Sequence, residues 1–213
     1  MKTDDLVLML ATGAGVAPKH VAARRYTIAL GWGMPISFAL MLATIGLLSD
    51  IRGALALSGF WIKLGFVVSL AAVSLLSTLR LSRPGADRKS LPVLLSLPVV
   101  ILWGLAVITL AQTEAELRIP LLMGQTWAEC PGLIAMLSLP IFVATLWAIR
   151  GLAPTNLRLA GGSAGLFTGA AGASIYTLHC PEMDAPFIAV WYLSGILIPA
   201  IVGLVLGSRL LRW

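Results

Sequence analysis

Thr177-Leu-His-Cys-Pro-Glu-Met-Asp-Ala-Pro186 is a polar island between two long apolar runs, 160–178 and 187–208. A helix needs about 20 apolar residues to cross a hydrocarbon core roughly 30 Å thick. Both flanks qualify, so the island reads as a turn joining two membrane spans. Working outward, further runs at 27–49, 59–79, 91–112 and 131–149 bring the total to six. The run at 160–178 is weak in hydropathy because it is rich in Gly and Ala. Composition agrees, with 59% hydrophobic and 11% charged residues against about 25% charged in soluble domains. The expected fold class is an all-α integral membrane bundle of six transmembrane helices. No cleavable signal peptide is expected, because the first long apolar run begins only after Arg24-Arg25 and has no small-residue cleavage site behind a short h-region.

Charge placement orients the bundle. Lys2, Lys19, Arg24, Arg25, Arg80, Arg83, Arg88, Lys89, Arg150, Arg158, Arg209 and Arg212 fall on one side, twelve of the fifteen Lys and Arg residues. Arg52, Lys63 and Arg118 fall on the other, together with Asp50, Glu114, Glu116, Glu129, Glu182 and Asp184. The positive-inside rule then places both termini in the cytoplasm. Residues 1–25 form a cytoplasmic segment and 26–213 the transmembrane domain. The net charge of +6 is spread over short clusters, which marks topology and gives no patch for nucleic acid. Both cysteines face outward.

The N-terminal segment predicts a short helix. Thr3 can cap it, and Asp4 and Asp5 suit its first turn. Leu6, Met9 and Leu10 share a face, and Gly13 stops it. About two turns are unstable alone in water, so this piece must lie on the membrane, pack on the bundle or fold onto a partner. Leu117, Leu121 and Leu122 suggest an interfacial, partly amphipathic piece in the longest outer loop, 112–130. Gly161, Gly165, Gly169 and Ala173 recur every four residues, as do Gly195, Pro199, Gly203 and Gly207. Small residues at that spacing let helix backbones approach closely, so the fifth and sixth spans should pack on each other. A homodimer through the first stripe is the less favoured use. Pro35, Pro98, Pro140 and Pro199 fall near mid-span, where neighbouring helices commonly re-satisfy the freed carbonyls.

Cys130-Pro131 and Cys180-Pro181 are matched turns, with Glu129 and His179 beside them. Proline suits a first helical turn. The two cysteines could be a plain disulfide in an oxidising compartment, a sensing pair, or unrelated free thiols. As a site, Cys130, Cys180 and His179, with Glu129 in reserve, would take a soft or borderline metal ion. That set is one ligand short of a closed tetrahedral zinc site, so a labile metal fits better than a structural one. Absence of a C-x-x-C motif speaks against thiol-exchange catalysis. No span carries an acidic residue or His near its centre, as ion-coupled transport and haem anchoring usually need. Lys63 lies near the outer end of its span, where it can snorkel. No phosphate-cradling glycine loop and no Ser/His/Asp set is present, and no enzyme is expected. A transporter or exporter subunit and a membrane thiol-redox protein are the alternatives to a regulator.

Met1-Lys-Thr-Asp-Asp-Leu6, the basic run before the first span, the two Cys-Pro turns, Ala189-Val-Trp-Tyr-Leu-Ser-Gly-Ile-Leu-Ile-Pro199 and Arg209-Leu-Leu-Arg-Trp213 resemble the NrsF-type anti-sigma factors of proteobacteria. The resemblance extends over essentially the whole chain. It implies a bacterial inner-membrane protein that holds an extracytoplasmic-function (ECF) sigma factor inactive on the cytoplasmic side. Metal or oxidative stress acting through the outer cysteines would release it. Cys130 and Cys180 match the outer cysteines. Asp4, Asp5 and Leu6, with Met9 on the same helical face, match the segment expected to engage the sigma factor. The Arg80–Lys89 loop is either a second contact or a lipid-headgroup anchor.

Overall fold

The computed structural model describes residues 3–13, 21–82, 90–152, 154 and 156–212. Lys2, Lys19, His20, Arg83, Arg88, Lys89 and Trp213, which entered the charge and end-segment expectations, lie outside the described residues. Among the described residues the chain is all helical. A free-standing helix α1 (Thr3–Gly13) is followed by α2 (Val21–Thr44), the short α3 (Ile51–Ala56) and α4 (Ser58–Leu81). Next come α5 (Leu91–Gln112), the short α6 (Ala115–Met123), α7 (Cys130–Arg150) and α8 (Leu157–Tyr176). The last long helix starts as α9 (Ala185–Phe187), passes through a π turn (Ile188–Tyr192) and continues as α10 (Leu193–Leu210).

Local chemistry sets these ends. Asp50 caps α3, its carboxylate accepting from Gly53 N at 2.9 Å, and Asn156 caps α8 by accepting from Leu159 N at 3.0 Å. Gly46, at φ 72°, closes α2 in the left-handed conformation that glycine tolerates. Its N–H reaches the Met41 carbonyl at 2.9 Å.

Among the described residues, five helices are long and apolar enough to cross a membrane: α2, α4, α5, α7 and the composite Ala185–Leu210. Their large apolar side chains, such as Trp32, Val93, Val100, Val143 and Val205, point outward, as in a helical membrane protein. The sixth long helix, α8, is less hydropathic for a physical reason. It is the central post, packed by α4, α7 and α10, and nearly all of its inner residues are buried. A helix shielded by protein needs small residues for packing more than it needs greasy ones for lipid.

Those small residues work as the spacing predicts. A Cβ on Gly161 would collide with the Gly203 carbonyl, one on Gly165 with the Pro199 carbonyl, and one on Gly169 would sit 2.6 Å from the Ile196 oxygen. Gly161, Gly165 and Gly169 of the α8 stripe are thus taken up by the chain's own α10. Gly195 departs from the pattern. It faces α7, where a Cβ would stand 2.9 Å from Ile134 Cβ. At Pro140 the helix continues, and the carbonyl of Leu137, three residues earlier, accepts the Ser37 hydroxyl of α2 at 2.6 Å. That bond ties α2 to α7 beside the proline, one residue past the Met136 carbonyl that Pro140 leaves without its helical donor.

Alternating helix directions sort the chain ends. Tyr26 Oη and Ser82 Oγ meet at 2.9 Å, joining the start of α2 to the end of α4. His179 Nδ1 and the Gly46 carbonyl meet at 3.1 Å, joining the other ends of α2 and α8. One end of the bundle therefore bears Cys130 and Cys180, and the opposite end bears Arg80, Arg150, Arg158 and Arg209.

Candidate functional site

Cys130 is the first residue of α7, with Pro131 in the first turn. Cys180 follows the last turn of α8, its N–H still bonded to the Tyr176 carbonyl at 3.1 Å. Both are 0% exposed and both are free thiols. They belong to one buried cluster with Tyr176 and Tyr192, so the fold does bring the two Cys-Pro turns together. The Tyr176 side chain lies against both cysteines and that of Tyr192 against Cys180. The two rings stand 5.6 Å apart. Tyr192 Oη is buried without a hydrogen-bond partner, an unusual polar orphan in an apolar core.

Lys63 was expected to snorkel outward, and the structure corrects this. Its side chain is 0% exposed. Nζ donates to the carbonyls of Cys180 and Glu182, each at 2.8 Å, and lies 5.6 Å from the Tyr192 ring centre. The three ammonium protons thus face two carbonyls and a π face. The reason is local: Cys180 to Asp184 is not helical, so its carbonyls need donors from elsewhere. Lys63 on α4 supplies them and ties the turn to the bundle.

A cover lies over the thiols. Glu182 Oε1 accepts from Gln125 N at 2.7 Å, and Trp191 Nε1 donates to the Leu122 carbonyl at 2.9 Å. Trp127 packs on Trp191 at 5.2 Å. Thr126 Oγ1 lies 3.9 Å from Cys180 Sγ. The π turn carries Trp191 and Tyr192 on adjacent positions, one toward this cover and one toward the thiols. Gly124 has φ 56°, and a side chain there would also meet Glu182 and Phe187. The interfacial piece expected around Leu117 is α6, which carries no buried residue. Asp184, just outside the last span, is held above the usual carboxylate range, mainly by desolvation and then by Glu182.

His179 is not turned to the thiols. Its ring packs on Tyr176 at 5.7 Å, and Nδ1 meets the Gly46 carbonyl. Glu129 is exposed at the N-cap of α7 and makes no capping bond. Among the described residues no three His, Cys, Asp or Glu groups are placed to hold a metal ion. The set Cys130, Cys180 and His179 is therefore not assembled as three ligands, and only the two thiols share a site.

At the far end, Arg25 of α2 reaches the last turn of α7. Its NH1 lies 3.5 Å from the Trp147 and Ala148 carbonyls, and its guanidinium stands over the Trp147 ring at 5.3 Å. Cations are favoured at a helix C-terminus. Asp4 and Asp5 fill the first turn of α1, and every described side chain of that helix is exposed, from Leu6 at 43% to Leu8 at 69% and Met9 at 67%.

This is a helical bundle whose apolar helices suit a membrane, with buried thiols at one end and an uncovered short helix ahead of it. The chain belongs to the family described as Negative regulator of sigma F (NrsF), whose profile matches residues 10–213. It is 53% identical over 213 residues, the whole of both chains, to the Probable anti-sigma-F factor NrsF of Azospira oryzae. It is 35% identical over 217 aligned positions, again the whole of both chains, to the Anti-sigma-F factor NrsF of Caulobacter vibrioides. No solved structure matches. The profile begins at residue 10, so Asp4 to Met9 are matched through the full-length relatives alone. The family is one of regulators, which makes an anti-sigma role, with a sigma factor as partner, the plain reading of this chain.

Proposed function

We propose that the chain is an inner-membrane anti-sigma factor with six spans, α8 included, and with both termini in the cytoplasm. It holds an ECF sigma factor through α1, with Leu6 and Met9 as apolar anchors and Asp4 and Asp5 meeting basic surface that the sigma factor keeps for promoter DNA. The observation that carries this is α1 itself. It is a short helix, acidic in its first turn and apolar in sequence from Leu6 to Leu10, whose described side chains find no cover in the bundle, on a chain whose relatives are named anti-sigma-F factors. Helices that short need a partner to persist.

Release starts at the opposite end. Either a soft metal ion takes both thiols, or a hydroperoxide closes Cys130–Cys180 as a disulfide. In the second case two thiol hydrogens are lost and the oxidant leaves as alcohol and water. Neither sulfur reaches solvent at rest, so the 124–129 cover must lift first. A change at Cys130 acts on α7 directly, and the last turn of α7 holds Arg25 at the start of α2, the helix that follows α1. Two bundle states that differ in this contact let the outer event bias the inner one.

The test is fractionation of cells co-expressing the chain and its candidate ECF sigma factor. The sigma factor is expected in the membrane pellet without stress and in the soluble fraction after cadmium or hydroperoxide. A sigma factor that stays soluble throughout would end the proposal. The Cys130→Ser/Cys180→Ser chain should still hold the sigma factor and should fail to release it.

A further inference from the structure

We propose that the groove walled by α4, α5, α8 and α10 at the arginine end binds one anionic phospholipid. Its acyl chain would lie in the groove and its phosphate between Arg80 and Arg158. This rests on the membrane-spanning reading above. α5 packs on α4 and, near its other end, on α9, and it leaves a groove of about 470 Å³ against α8 and α10. That size is within the roughly 300–1,000 Å³ of ligand pockets.

The lining excludes most occupants. Leu81, Leu91, Leu95, Leu166, Ile201 and Leu204 dominate it. Its two hydroxyls are already used: Ser77 Oγ donates to the Val73 carbonyl at 2.9 Å and Ser163 Oγ to that of Ala160 at 3.1 Å. An extended peptide laid there would leave its backbone polar groups unpaired, at several kcal/mol each in hydrocarbon, and a groove of about 470 Å³ is too small for a helix with its side chains. The occupant is therefore hydrocarbon along its length.

The mouth specifies the head. Arg80 precedes the wall residue Leu81, and its NH1 reaches Ser90 Oγ at 3.4 Å, across the ends of α4 and α5. Arg158 precedes the wall residue Leu159, and both arginines are exposed. None of the four walling helices contains an Asp or Glu. An apolar channel whose rim, among the described residues, is cationic, between spans on the basic side, complements an anionic headgroup.

The experiment uses the full chain, delipidated in a mild non-ionic detergent and offered equimolar phosphatidylglycerol and phosphatidylethanolamine with matched chains. Native mass spectrometry reads what is retained. The expected result is one phosphatidylglycerol per protein, preferred about thirtyfold given roughly 1 kcal/mol for each of the two arginines near a membrane surface. Arg80→Gln with Arg158→Gln should bring the preference near unity, and Arg80→Lys with Arg158→Lys should restore most of it. Ile201→Trp, at an exposed wall position, should reduce retention of both lipids. Equal retention of the two lipids by the native chain overturns the site. So does a preference that survives the double Gln change, retention untouched by Ile201→Trp, or a dimer mass in place of lipid. Failure of the membrane reading shows separately, as loss of the chain from membranes on alkaline carbonate washing.

Discussion

Replacing Lys63 by Met keeps the length and apolar stem of the side chain and removes only the ammonium. In the native chain Nζ makes two hydrogen bonds of 2.8 Å to carbonyls of the Cys180–Glu182 turn. Net hydrogen bonds to a charged group contribute about 1.5–3 kcal/mol each, so the tether is worth roughly 3–6 kcal/mol before water is considered. Part of that returns when the turn opens, because water then solvates the two carbonyls. We expect about 2–4 kcal/mol to remain. At 1.36 kcal/mol per factor of ten, the open turn becomes roughly 30-fold or more better populated. The assay is the labelling rate of Cys130 and Cys180 by a membrane-impermeant maleimide in sealed vesicles, with each cysteine present alone. The Lys63→Met chain should label at least tenfold faster at Cys180, while Lys63→Arg stays within a few-fold of the native rate. An unchanged rate in the Lys63→Met chain would contradict the tether.

Gly203→Leu forces a side chain into the Gly161 carbonyl and should lower the melting temperature in detergent by several degrees or abolish the folded peak. Gly31→Ala, with nothing within 4 Å, should be neutral by the same fluorescence-detected gel filtration. Ser37→Ala removes the bond to Leu137 beside Pro140 and should cost about 1 kcal/mol, read as a smaller shift in that melt. Trp191→Phe deletes the bond to Leu122 and should speed maleimide labelling of Cys180 without changing sigma-factor retention.

Much of the bundle was legible from periodicity and charge. The Gly161–Gly169 and Gly203–Gly207 stripes predicted the α8–α10 seam because close approach demands small residues wherever backbones meet. The apolar runs gave the helices to within a few residues, except for α2, which runs Val21–Thr44 and not 27–49. Hydropathy understated α8 because a buried helix is selected for fit to protein. That Cys130 and Cys180 fall at matching helix ends was also readable, and both lie in one buried cluster. The surroundings of the thiols were not. Lys63 bonds backbone carbonyls more than a hundred positions away, and carbonyls carry no sequence signature. The π turn at Ile188–Tyr192 inserts an extra residue per turn without any local marker, so the inward placement of Tyr192 and the outward reach of Trp191 could not be foreseen. His179 looked like a ligand on adjacency alone. Its ring instead serves the link to Gly46.

The direct measurement is retention of the ECF sigma factor on membranes by chains that differ only in α1. The Leu6→Asp/Met9→Asp chain should stay in the membrane and melt like the native bundle, because these side chains are exposed. It should nevertheless retain less than a tenth of the sigma factor. Full retention by that chain, or by one lacking residues 3–13, would contradict the assignment of α1 as the holding element.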